Sequence, residues 1–378
     1  MAGSSSVQKD IAIAGGGLAG LSLAILMARK GFSVALVEKD EYPRQKVCGE
    51  FISEESRPFL EKLGFYPEIY GLPLIKRFRL SSATGQQATC KLKMGAIGLS
   101  RYFLDHSLAE MANREGVSIF TRQKIKQLSF ENETANGGKI VTKNQTEFKA
   151  PLVVDARGRM AMNDKNAAHS APFIGIKYHV ELAHPADLIE IHGFAGGYCG
   201  LSKVENNHYC LCYLTKSEPL KPFKGNFESF EQEIPGKNPL LRRRIQEAKK
   251  VGGPFTTSQF YFGRLEPFAN GIPAIGDAGG FIPPITGNGM SLAFRSANFL
   301  APLLAQYLEN QLSMTELQKT YRRFHQQTIG RHIQKGKHLQ NLFMSDHPAV
   351  HKVLFAGLNN IPGFMRMMTS QAFGKPIQ

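Results

Sequence analysis

A glycine-rich turn near the amino terminus constrains the fold of this 378-residue chain more than any other feature. Gly15, Gly17 and Gly20 follow a short apolar run in the spacing G-x-G-x-x-G. The first glycine permits a tight turn, the second lets the backbone approach a pyrophosphate, and the third lets helix and strand pack closely. Leu18 and Ala19 begin a helical segment whose free N–H groups attract phosphate. The spacing therefore predicts a dinucleotide-binding βαβ unit.

An acidic residue at the end of the following strand strengthens this prediction. The apolar run 33–37 is followed by Glu38 and Lys39. In such units, a carboxylate about 20 residues beyond the glycines accepts hydrogen bonds from ribose hydroxyls. We therefore assign Glu38, with its neighbour Lys39, to the nucleotide site, and this motif alone fits either FAD or NAD.

Composition and charge narrow the class of protein. The chain is 42% hydrophobic and 20% charged, a globular balance, and its length suits about two domains. No apolar run reaches the roughly 18 residues of a membrane-spanning helix, and the polar amino-terminal segment does not resemble a secretory leader, so we expect a cytoplasmic protein. The net charge of +15 favours anionic partners, such as a phosphate-bearing cofactor or an acidic membrane. No nucleic-acid motif accompanies it, so we expect no nucleic-acid partner.

The five cysteines indicate neither a disulfide framework nor a metal site. They are odd in number and scattered along the chain. Cys210 and Cys212 form the one close pair, and no second pair accompanies them at ligand spacing. We therefore expect no bound metal.

A second glycine-rich segment, residues 272–297, reads IPAIGDAGGFIPPITGNGMSLAFRSA. It resembles the second FAD signature of the para-hydroxybenzoate hydroxylase-like and geranylgeranyl reductase-like flavoproteins. The resemblance implies FAD as the cofactor and Asp277, after Gly276, as the residue that binds the flavin ribityl chain. It also implies that the loop and helix start face the pyrimidine edge of the flavin through Gly287, Asn288, Gly289 and Met290. A helix amino terminus there stabilises the negative charge of reduced flavin.

Two arginine-containing motifs extend the resemblance. Arg44, Cys48 and Gly49 belong to a PRxKxCGE segment. The resemblance implies that Arg44 lies along the FAD phosphates or adenosine, since its planar fork suits phosphate, and that Cys48, Gly49 and Glu50 lie near the flavin. Arg101, after Ser100, matches the family's arginine at the FAD face.

One motif departs from the family pattern. Asp155 and Gly158 lie in the segment DARGR, which occupies the place of the family's Asp-Gly motif for FAD and NAD(P)H. Arg157 stands where the family aspartate usually lies. We assign Asp155 and Gly158 to the cofactor site. The departure weakens direct use of NAD(P)H, which we retain as a transient electron donor beside the alternative of a separate reductase.

Alternating patterns place a second domain inside the first. Stretches such as 174–182 alternate apolar and polar residues, as half-buried antiparallel strands do. We therefore predict an α/β fold: a Rossmann-type FAD-binding domain with an inserted, mainly antiparallel β-sheet substrate domain and a C-terminal helical segment. The predicted boundaries are 1–75, 100–160 and 265–310 for the FAD-binding domain, 76–99 and 161–264 for the substrate domain, and 311–378 for the helical segment.

The resemblance implies an FAD-dependent oxidoreductase acting on a small apolar or aromatic substrate, with Tyr198 and Pro284 in its substrate pocket. We favour a monooxygenase that hydroxylates an apolar aromatic, polyketide-like or phenolic-lipid-like, through a flavin C4a-hydroperoxide. A geranylgeranyl reductase-like ene-reductase of an isoprenoid chain stays open, although only Tyr198 of the family's YxWxFP pattern is present, as does a non-catalytic flavin electron carrier. The chain has no tryptophan, so it lacks the WxWxIP motif of the flavin-dependent halogenases. We assign no catalytic acid or base.

The C-terminal segment combines apolar side chains with an excess of cations. Residues 315–378 contain nine lysines and arginines against two acids. Such a segment suits peripheral contact with an anionic membrane. It equally suits a cap over the flavin domain or a wall of the substrate pocket. Pro362 and Gly363 favour the second interpretation, because they interrupt a long helix.

Overall fold

The computed structural model describes residues 6–130, 137–161, 173–258, 262–264, 266–345, 348–370 and 373–378. Its strands are β1 (Ser6–Gln8), β2 (Ile11–Ala14), β3 (Val34–Val37), β4 (Phe51–Ser53), β5 (Leu74–Ser81), β6 (Gln87–Gly98), β7 (Ser118–Phe120), β8 (Ile125–Phe130), β9 (Gly138–Thr142), β10 (Glu147–Ala150), β11 (Leu152–Asp155), β12 (Phe173–Glu181), β13 (Leu188–Phe194), β14 (Gly197–Lys203), β15 (Tyr209–Lys216), β16 (Lys249–Thr257), β17 (Gly263–Arg264), β18 (Phe268–Ala269), β19 (Ile272–Pro273) and β20 (Gly280–Phe281).

The helices occupy the gaps between strands and the C-terminal part of the chain. They are α1 (Leu18–Ala28), α2 (Arg57–Leu63), α3 (Arg101–Arg114), α4 (Phe227–Glu233), α5 (Pro239–Glu247), α6 (Gly289–Leu308), α7 (Met314–His325), α8 (Arg331–Phe343), α9 (Pro348–Asn360) and α10 (Phe364–Ser370). A π-helical turn at Gln326–Gly330 joins α7 to α8.

A parallel sheet in the order β11–β2–β3–β7 forms the centre of the Rossmann-type unit. Every residue of β2 and β3 is buried. Ten of the eleven residues of α1 are also buried, because its sequence has almost no polar side chain. α1 packs against α3 and α6, so the predicted βαβ unit sits in the main hydrophobic core. A smaller sheet, β1–β10–β9–β8, lies beside it.

The largest sheet has the order β16–β12–β15–β14–β13–β5–β6–β4. Its neighbouring strands are antiparallel except β13 and β5, which are parallel. The predicted fold class, a Rossmann-type unit with a mainly antiparallel second sheet and C-terminal helices, is confirmed. β4 comes from the range that the sequence assigns to the FAD-binding domain, so this sheet begins directly after the PRxKxCGE segment.

The two faces of this sheet are covered differently. On β12, Ile176, Tyr178 and Val180 belong to a core that packs under α4 and α5. Lys177 and His179 alternate with them and contact the PRxKxCGE segment instead. The alternation in this range predicted strands alone, and α4 and α5 are additions. Each of these two helices begins at an asparagine whose side chain caps it, a signal that period-two counting does not register.

The C-terminal helices cover part of the other face. Phe343 of α8, Leu354 of α9 and Met365 of α10 pack in one cluster with Leu80 of β5 and Tyr198 of β14. The segment therefore forms a wall beside the sheet, one of the two roles predicted for it. Among the described residues, no helix has both the length and the hydropathy needed to cross a bilayer.

Candidate active site

A cavity of about 1230 Å³ runs from the glycine-rich turn to the C-terminal helices. Its polar end is lined by Gly15, Gly17, Glu38, Lys46 and Arg101. Its opposite end is lined almost entirely by apolar side chains. The cavity thus joins a polar site, suited to a nucleotide, to an apolar pocket.

Most of the residues assigned from the sequence lie on the wall of this cavity. They are Gly15, Gly17, Leu18, Ala19, Glu38, Lys39, Cys48, Gly49, Arg101, Gly158, Tyr198, Gly276, Asp277, Pro284, Gly287, Gly289 and Met290. Four others lie behind the wall: Gly20, Arg44, Asp155 and Asn288. The structure therefore gathers residues that are up to 275 positions apart in the sequence around one cavity.

The glycines of the first motif meet the geometric demands that predict them. Gly15 has a φ of +109°, and a Cβ there would lie 2.4 Å from the carbonyl oxygen of Ala156. A Cβ on Gly20 would lie 2.0 Å from the carbonyl oxygen of Gly15. A Cβ on Gly17 would approach only the ends of two cationic side chains, Lys46 and Arg101. Gly17 thus exposes its backbone to the cavity at the start of α1, where that helix has no side-chain cap.

Two cations converge on this backbone. The Lys46 Nζ and an Arg101 terminal nitrogen lie 3.7 and 4.0 Å from the ideal Cβ position of Gly17. Arg101 is held by Asp105, with nitrogen–oxygen distances of 2.7 and 2.8 Å. Lys46 has no hydrogen bond or ion pair with any residue that the structure describes. Burial, together with the nearby arginines, lowers the pKa of Lys46 to about 8. An anion here would restore the ordinary preference of Lys46 for charge, as a pyrophosphate would.

Glu38, the acidic residue after β3, is held in place by hydrogen bonds and an ion pair with neighbouring residues. Glu38 accepts a hydrogen bond from the Gly16 N–H at 2.7 Å and pairs with Arg44 at 2.6 Å. Burial alone would raise the pKa of Glu38, but Arg44 and the neighbouring donors hold it below its ordinary value. Arg44 also donates to the carbonyl of Gly16 at 2.7 Å. The buried guanidinium of Arg44 positions Glu38, and Lys46 of the same motif faces the cavity. The placement of Arg44 along the FAD phosphates or adenosine stays a prediction.

The second glycine-rich segment lines the middle of the cavity. Gly287 has a φ of +67°, and a Cβ there would lie 2.6 Å from the ring of Phe51. Asn288 caps α6 by its backbone only, and both polar atoms of its buried side chain lack a hydrogen-bond partner among the described residues. Burial raises the pKa of Asp277, although Arg159 opposes the shift. Asp277 lines the cavity, so a polar ligand lying along this segment would contact its carboxyl group.

The DARGR segment supports the site from the sheet. The Asp155 carboxylate accepts hydrogen bonds from the backbone N–H and the guanidinium of Arg157, at 3.0 and 2.7 Å. Its carbonyl accepts from the Ile275 N–H at 2.9 Å, which ties β11 to the Gly276–Ala278 turn. Asp155 therefore organises two cavity-lining segments without facing the cavity itself. Gly158, with a φ of +63°, does line it.

Glu50, expected near the flavin from the motif resemblance, belongs to a buried charged cluster beside Cys48 and Gly49 that was not predicted from the sequence. Glu50 lines the cavity with a φ of +55°, and its carboxylate lies 2.7 Å from Lys177 Nζ and 2.6 Å from His179 Nε2. Burial alone would raise the pKa of Glu50, but His179 and Lys177 lower it. Glu50 is the last residue of the PRxKxCGE motif, and this motif is the signal that led us to expect it near the flavin. Lys177 and His179 carry no comparable signal.

Three further contacts fasten residues 45–50 to the large sheet. Lys177 Nζ donates to the side-chain oxygen of Gln45 at 2.8 Å. The Ser202 hydroxyl donates to the carbonyl of Gly49 at 3.0 Å, and the Cys210 thiol donates to the carbonyl of Cys48 at 3.3 Å. The segment next to the cofactor end and the sheet next to the apolar end are therefore one connected wall.

The apolar end lies between the sheet and the C-terminal helices. Its lining includes Phe78, Leu80, Ile191, Leu214, Ile285, Phe343, Leu354, Leu358, Met365 and Met368. Tyr198 and Pro284 line the cavity, as expected for the pocket. The buried Tyr198 hydroxyl has no hydrogen-bond partner among the described residues, and burial raises the pKa of this phenol well above its ordinary value. It therefore stays protonated and available to donate.

This architecture, with two helix starts and a cationic pair at one end of a long cavity, suits a phosphate-bearing dinucleotide cofactor such as FAD. Residues 8–178, just under half of the chain, match the FAD binding domain family, and the chain is similar to FAD-dependent oxidoreductases. FAD is thereby confirmed as the cofactor, and so is the resemblance to the hydroxylase-like and reductase-like flavoproteins.

Individual relatives differ in the activities that their names state. A 1H-pyrrole-2-carbonyl-[peptidyl-carrier protein] chlorinase of Pseudomonas fluorescens is 23% identical over 80% of this chain and 76% of its own length. A geranylgeranyl bacteriochlorophyll reductase-like protein of Thermoplasma acidophilum is 16% identical, with a TM-score of 0.77 over 98% of this chain and 97% of its own. PqsL of Pseudomonas aeruginosa, a probable FAD-dependent monooxygenase, is 17% identical, with a TM-score of 0.70 over 93% of this chain and 100% of its own. At these identities the structures show a shared fold.

Proposed function

We propose that this protein is an FAD-dependent monooxygenase that hydroxylates an apolar aromatic compound of the polyketide or phenolic-lipid kind. The observation that supports this proposal is the continuity of the cavity from the cofactor end, along Asp277 and Gly287, into an apolar pocket that contains a free phenol donor. When bound, FAD supplies two electrons, so that one atom of O₂ enters the substrate and the other leaves as water. An apolar, water-poor pocket suits this chemistry because it protects reactive species from water.

The residues of the pocket have distinct parts in this proposal. The Tyr198 hydroxyl donates a hydrogen bond to the oxygen of a phenolic substrate and so orients its ring. The apolar lining around Leu80 and Met365 excludes water and holds the rest of the substrate. Lys46 and Arg101 bind the cofactor phosphates. Asp277 binds the ribityl chain, and the start of α6 lies along the pyrimidine edge of the flavin.

The electrons come from a donor that binds only transiently, either NAD(P)H or a separate flavin reductase. Arg157 replaces the family aspartate, and its guanidinium is engaged with Asp155. Among the described residues, no second glycine-rich turn of the G-x-G-x-x-G type follows a strand and opens a helix. These observations favour the separate reductase.

An ene-reductase that saturates an isoprenoid chain is the second candidate. The apolar end of the cavity favours it, because an unbranched or prenyl chain needs no polar partner there. The similarity in fold to the geranylgeranyl reductase-like protein supports the same alternative. A halogenase is less well supported despite the relatives of that name, because the chain has no tryptophan for the motif of that branch.

Product analysis after a single reduction of the flavin tests these candidates. The FAD-loaded protein is photoreduced without oxygen and mixed with phenols bearing alkyl chains of graded length, then exposed to isotope-labelled O₂ in the presence of bromide. The monooxygenase proposal expects a hydroxylated product that carries the label. Anaerobic flavin reoxidation by a prenyl substrate would indicate the reductase, a brominated product the halogenase, and reoxidation without any product an electron carrier.

A further inference from the structure

The helices that close the apolar end of the cavity have an unusual outer surface. The inner sides of α9 and α10 line the cavity through Leu354, Leu358 and Met365. Their outer sides carry Val353, Ile361 and Met367, which are 73%, 56% and 50% exposed. Residues 359–363, at the end of α9 and in the turn to α10, are all exposed, and Asn359 donates a hydrogen bond to the Gln87 carbonyl of β6 at 3.2 Å.

Two exposed cations are sequence neighbours of these exposed apolar side chains. Lys352 and Arg366 are exposed and lie next to Val353 and Met367 in the sequence. Neither cation has an ion pair with any residue that the structure describes, and the described part of the chain from 348 onward contains no aspartate or glutamate. We call Lys352, Val353, Ile361, Arg366 and Met367 the α9–α10 surface.

The charge of the α9–α10 surface indicates what covers it. A second copy of the same surface would bring like charges together without any acid to offset them. An anionic lipid surface offers both things that these residues lack, namely phosphates for the cations and an acyl layer for the apolar side chains.

A second observation connects this surface to the cavity. Leu342, near the end of α8, lines the cavity and is also 38% exposed, so the apolar end approaches the outside beside the C-terminal helices. The exposed side of α8 adds Arg331, Lys335 and Lys337, which likewise have no ion pair with a described residue. The cationic apolar surface therefore lies on the same part of the molecule as the apolar end of the cavity.

We propose that the α9–α10 surface docks on an anionic bilayer. Val353, Ile361 and Met367 enter the boundary between headgroups and acyl chains, while Lys352 and Arg366 contact lipid phosphates. An apolar substrate then passes from the bilayer to the cavity beside Leu342 without crossing bulk water. That last step rests on the proposed function, whereas docking itself does not.

Vesicle co-sedimentation of the FAD-loaded protein tests docking without any turnover. The vesicles are phosphatidylcholine alone and phosphatidylcholine mixed with phosphatidylglycerol. We expect binding to the mixed vesicles only, with the bound fraction falling as salt is raised, because each cation near such a surface contributes roughly fivefold to the partition coefficient. Lys352→Glu with Arg366→Glu, and separately Val353→Ser with Ile361→Ser and Met367→Ser, should each reduce binding at least tenfold.

Matched changes elsewhere separate docking from general attraction to a basic protein. The double variant Lys30→Glu with Lys126→Glu removes two exposed cations that lie outside the C-terminal helices, one after α1 and one in β8. Ile69→Ser removes a side chain that is 75% exposed but lies next to Glu68. Both controls should bind like the parent protein.

Three outcomes would each overturn the proposal: absence of binding, equal binding to neutral vesicles, or an equal loss of binding in the α9–α10 variants and in the controls. A docking result with no hydroxylated product would count against the proposed function alone.

Discussion

Glu50 Oε1 and Lys177 Nζ lie 2.7 Å apart, and both side chains are completely buried. Arg101 N–H and His179 Nε2 also contact the same carboxylate, at 3.0 and 2.6 Å. A buried ion pair seldom stabilises a fold more than an apolar pair of similar size would. Buried ionisable groups with shifted pKa values are concentrated at functional sites. We therefore infer that the pair is retained because it fixes residues 45–50 at the cavity wall.

Removing one partner of this pair should be costly. Lys177→Met leaves the Glu50 carboxylate buried without its cation, and we expect the free energy of unfolding to fall by about 3–5 kcal/mol. Denaturant unfolding of the FAD-loaded protein measures this. Lys249→Met removes one partner of the exposed pair with Glu181 and should change stability little. Equal stability of the two variants would contradict the importance of the buried pair.

The same pair predicts how stability depends on acid. Lys177 and His179 hold the folded-state pKa of Glu50 below its ordinary value, against the effect of burial. A carboxylate of this kind contributes stability above its unfolded pKa, and that contribution is lost as the pH falls through the folded value. Glu50→Gln should therefore remove part of the acid sensitivity of the unfolding midpoint. An unchanged acid profile in a folded variant would show that Glu50 does not carry this contribution.

Lys46 should control how FAD affinity depends on pH. We expect Lys46→Met to weaken FAD binding by about 1.5–3 kcal/mol, the usual range for a hydrogen bond to a charged group. The pKa of Lys46 without cofactor is about 8, so in the parent protein FAD affinity should decline above that pH as the ammonium loses its proton. Fluorescence titration at several pH values tests both effects. If the FAD affinity of Lys46→Met still declines at alkaline pH, another group causes the decline. Lys30→Met, which removes a distant cation, is the control and should bind FAD like the parent protein.

Asp277 should contribute to FAD binding through hydrogen bonds to the ribityl chain. Asp277→Ala is expected to cost about 1.5–3 kcal/mol of binding free energy. Asp277→Asn keeps the shape of the side chain and should retain part of the affinity. Equilibrium dialysis against FAD compares the three proteins, and full affinity in a folded alanine variant would remove Asp277 from the site.

Tyr198→Phe should separate stability from activity. The buried hydroxyl has no partner among the described residues. The free energy of unfolding of the variant should therefore equal that of the parent protein or exceed it by up to about 2 kcal/mol. If the hydroxyl orients a phenolic substrate, kcat/KM for hydroxylation should fall about tenfold, an energy of about 1.4 kcal/mol. A loss of stability without a loss of activity would assign Tyr198 a structural role instead.

The sequence predicted those site residues whose type is dictated by close contact with the backbone or with a phosphate. Gly15 and Gly20 are predictable because the close approach of strand and helix leaves no room for a Cβ. The face that Lys177 presents was not predictable, because alternation shows only that one side of a strand is apolar. Whether the polar side meets water or another part of the protein depends on strand order, and Lys177 meets Glu50, 127 residues away in the sequence.

Arg44 shows a different limit of the sequence. Its motif implies an arginine along the FAD phosphates or adenosine, and the same motif contains a second cation, Lys46, two residues later. Backbone geometry turns Lys46 toward Gly17 and Arg44 toward Glu38. Only the structure distinguishes the residue that faces the cavity from the residue that supports it.

The attachment of residues 45–50 to the large sheet has a consequence for how this enzyme can diversify. Substitutions on the central strands would disturb the cofactor end at the same time, since the Ser202 and Cys210 side chains bond to the backbone beside Cys48. The cavity-lining residues of α9 and α10 make no such bond. Libraries of substitutions at these residues should alter which compounds the protein accepts while leaving the flavin spectrum intact. New specificities can therefore evolve in α9 and α10 without loss of cofactor binding.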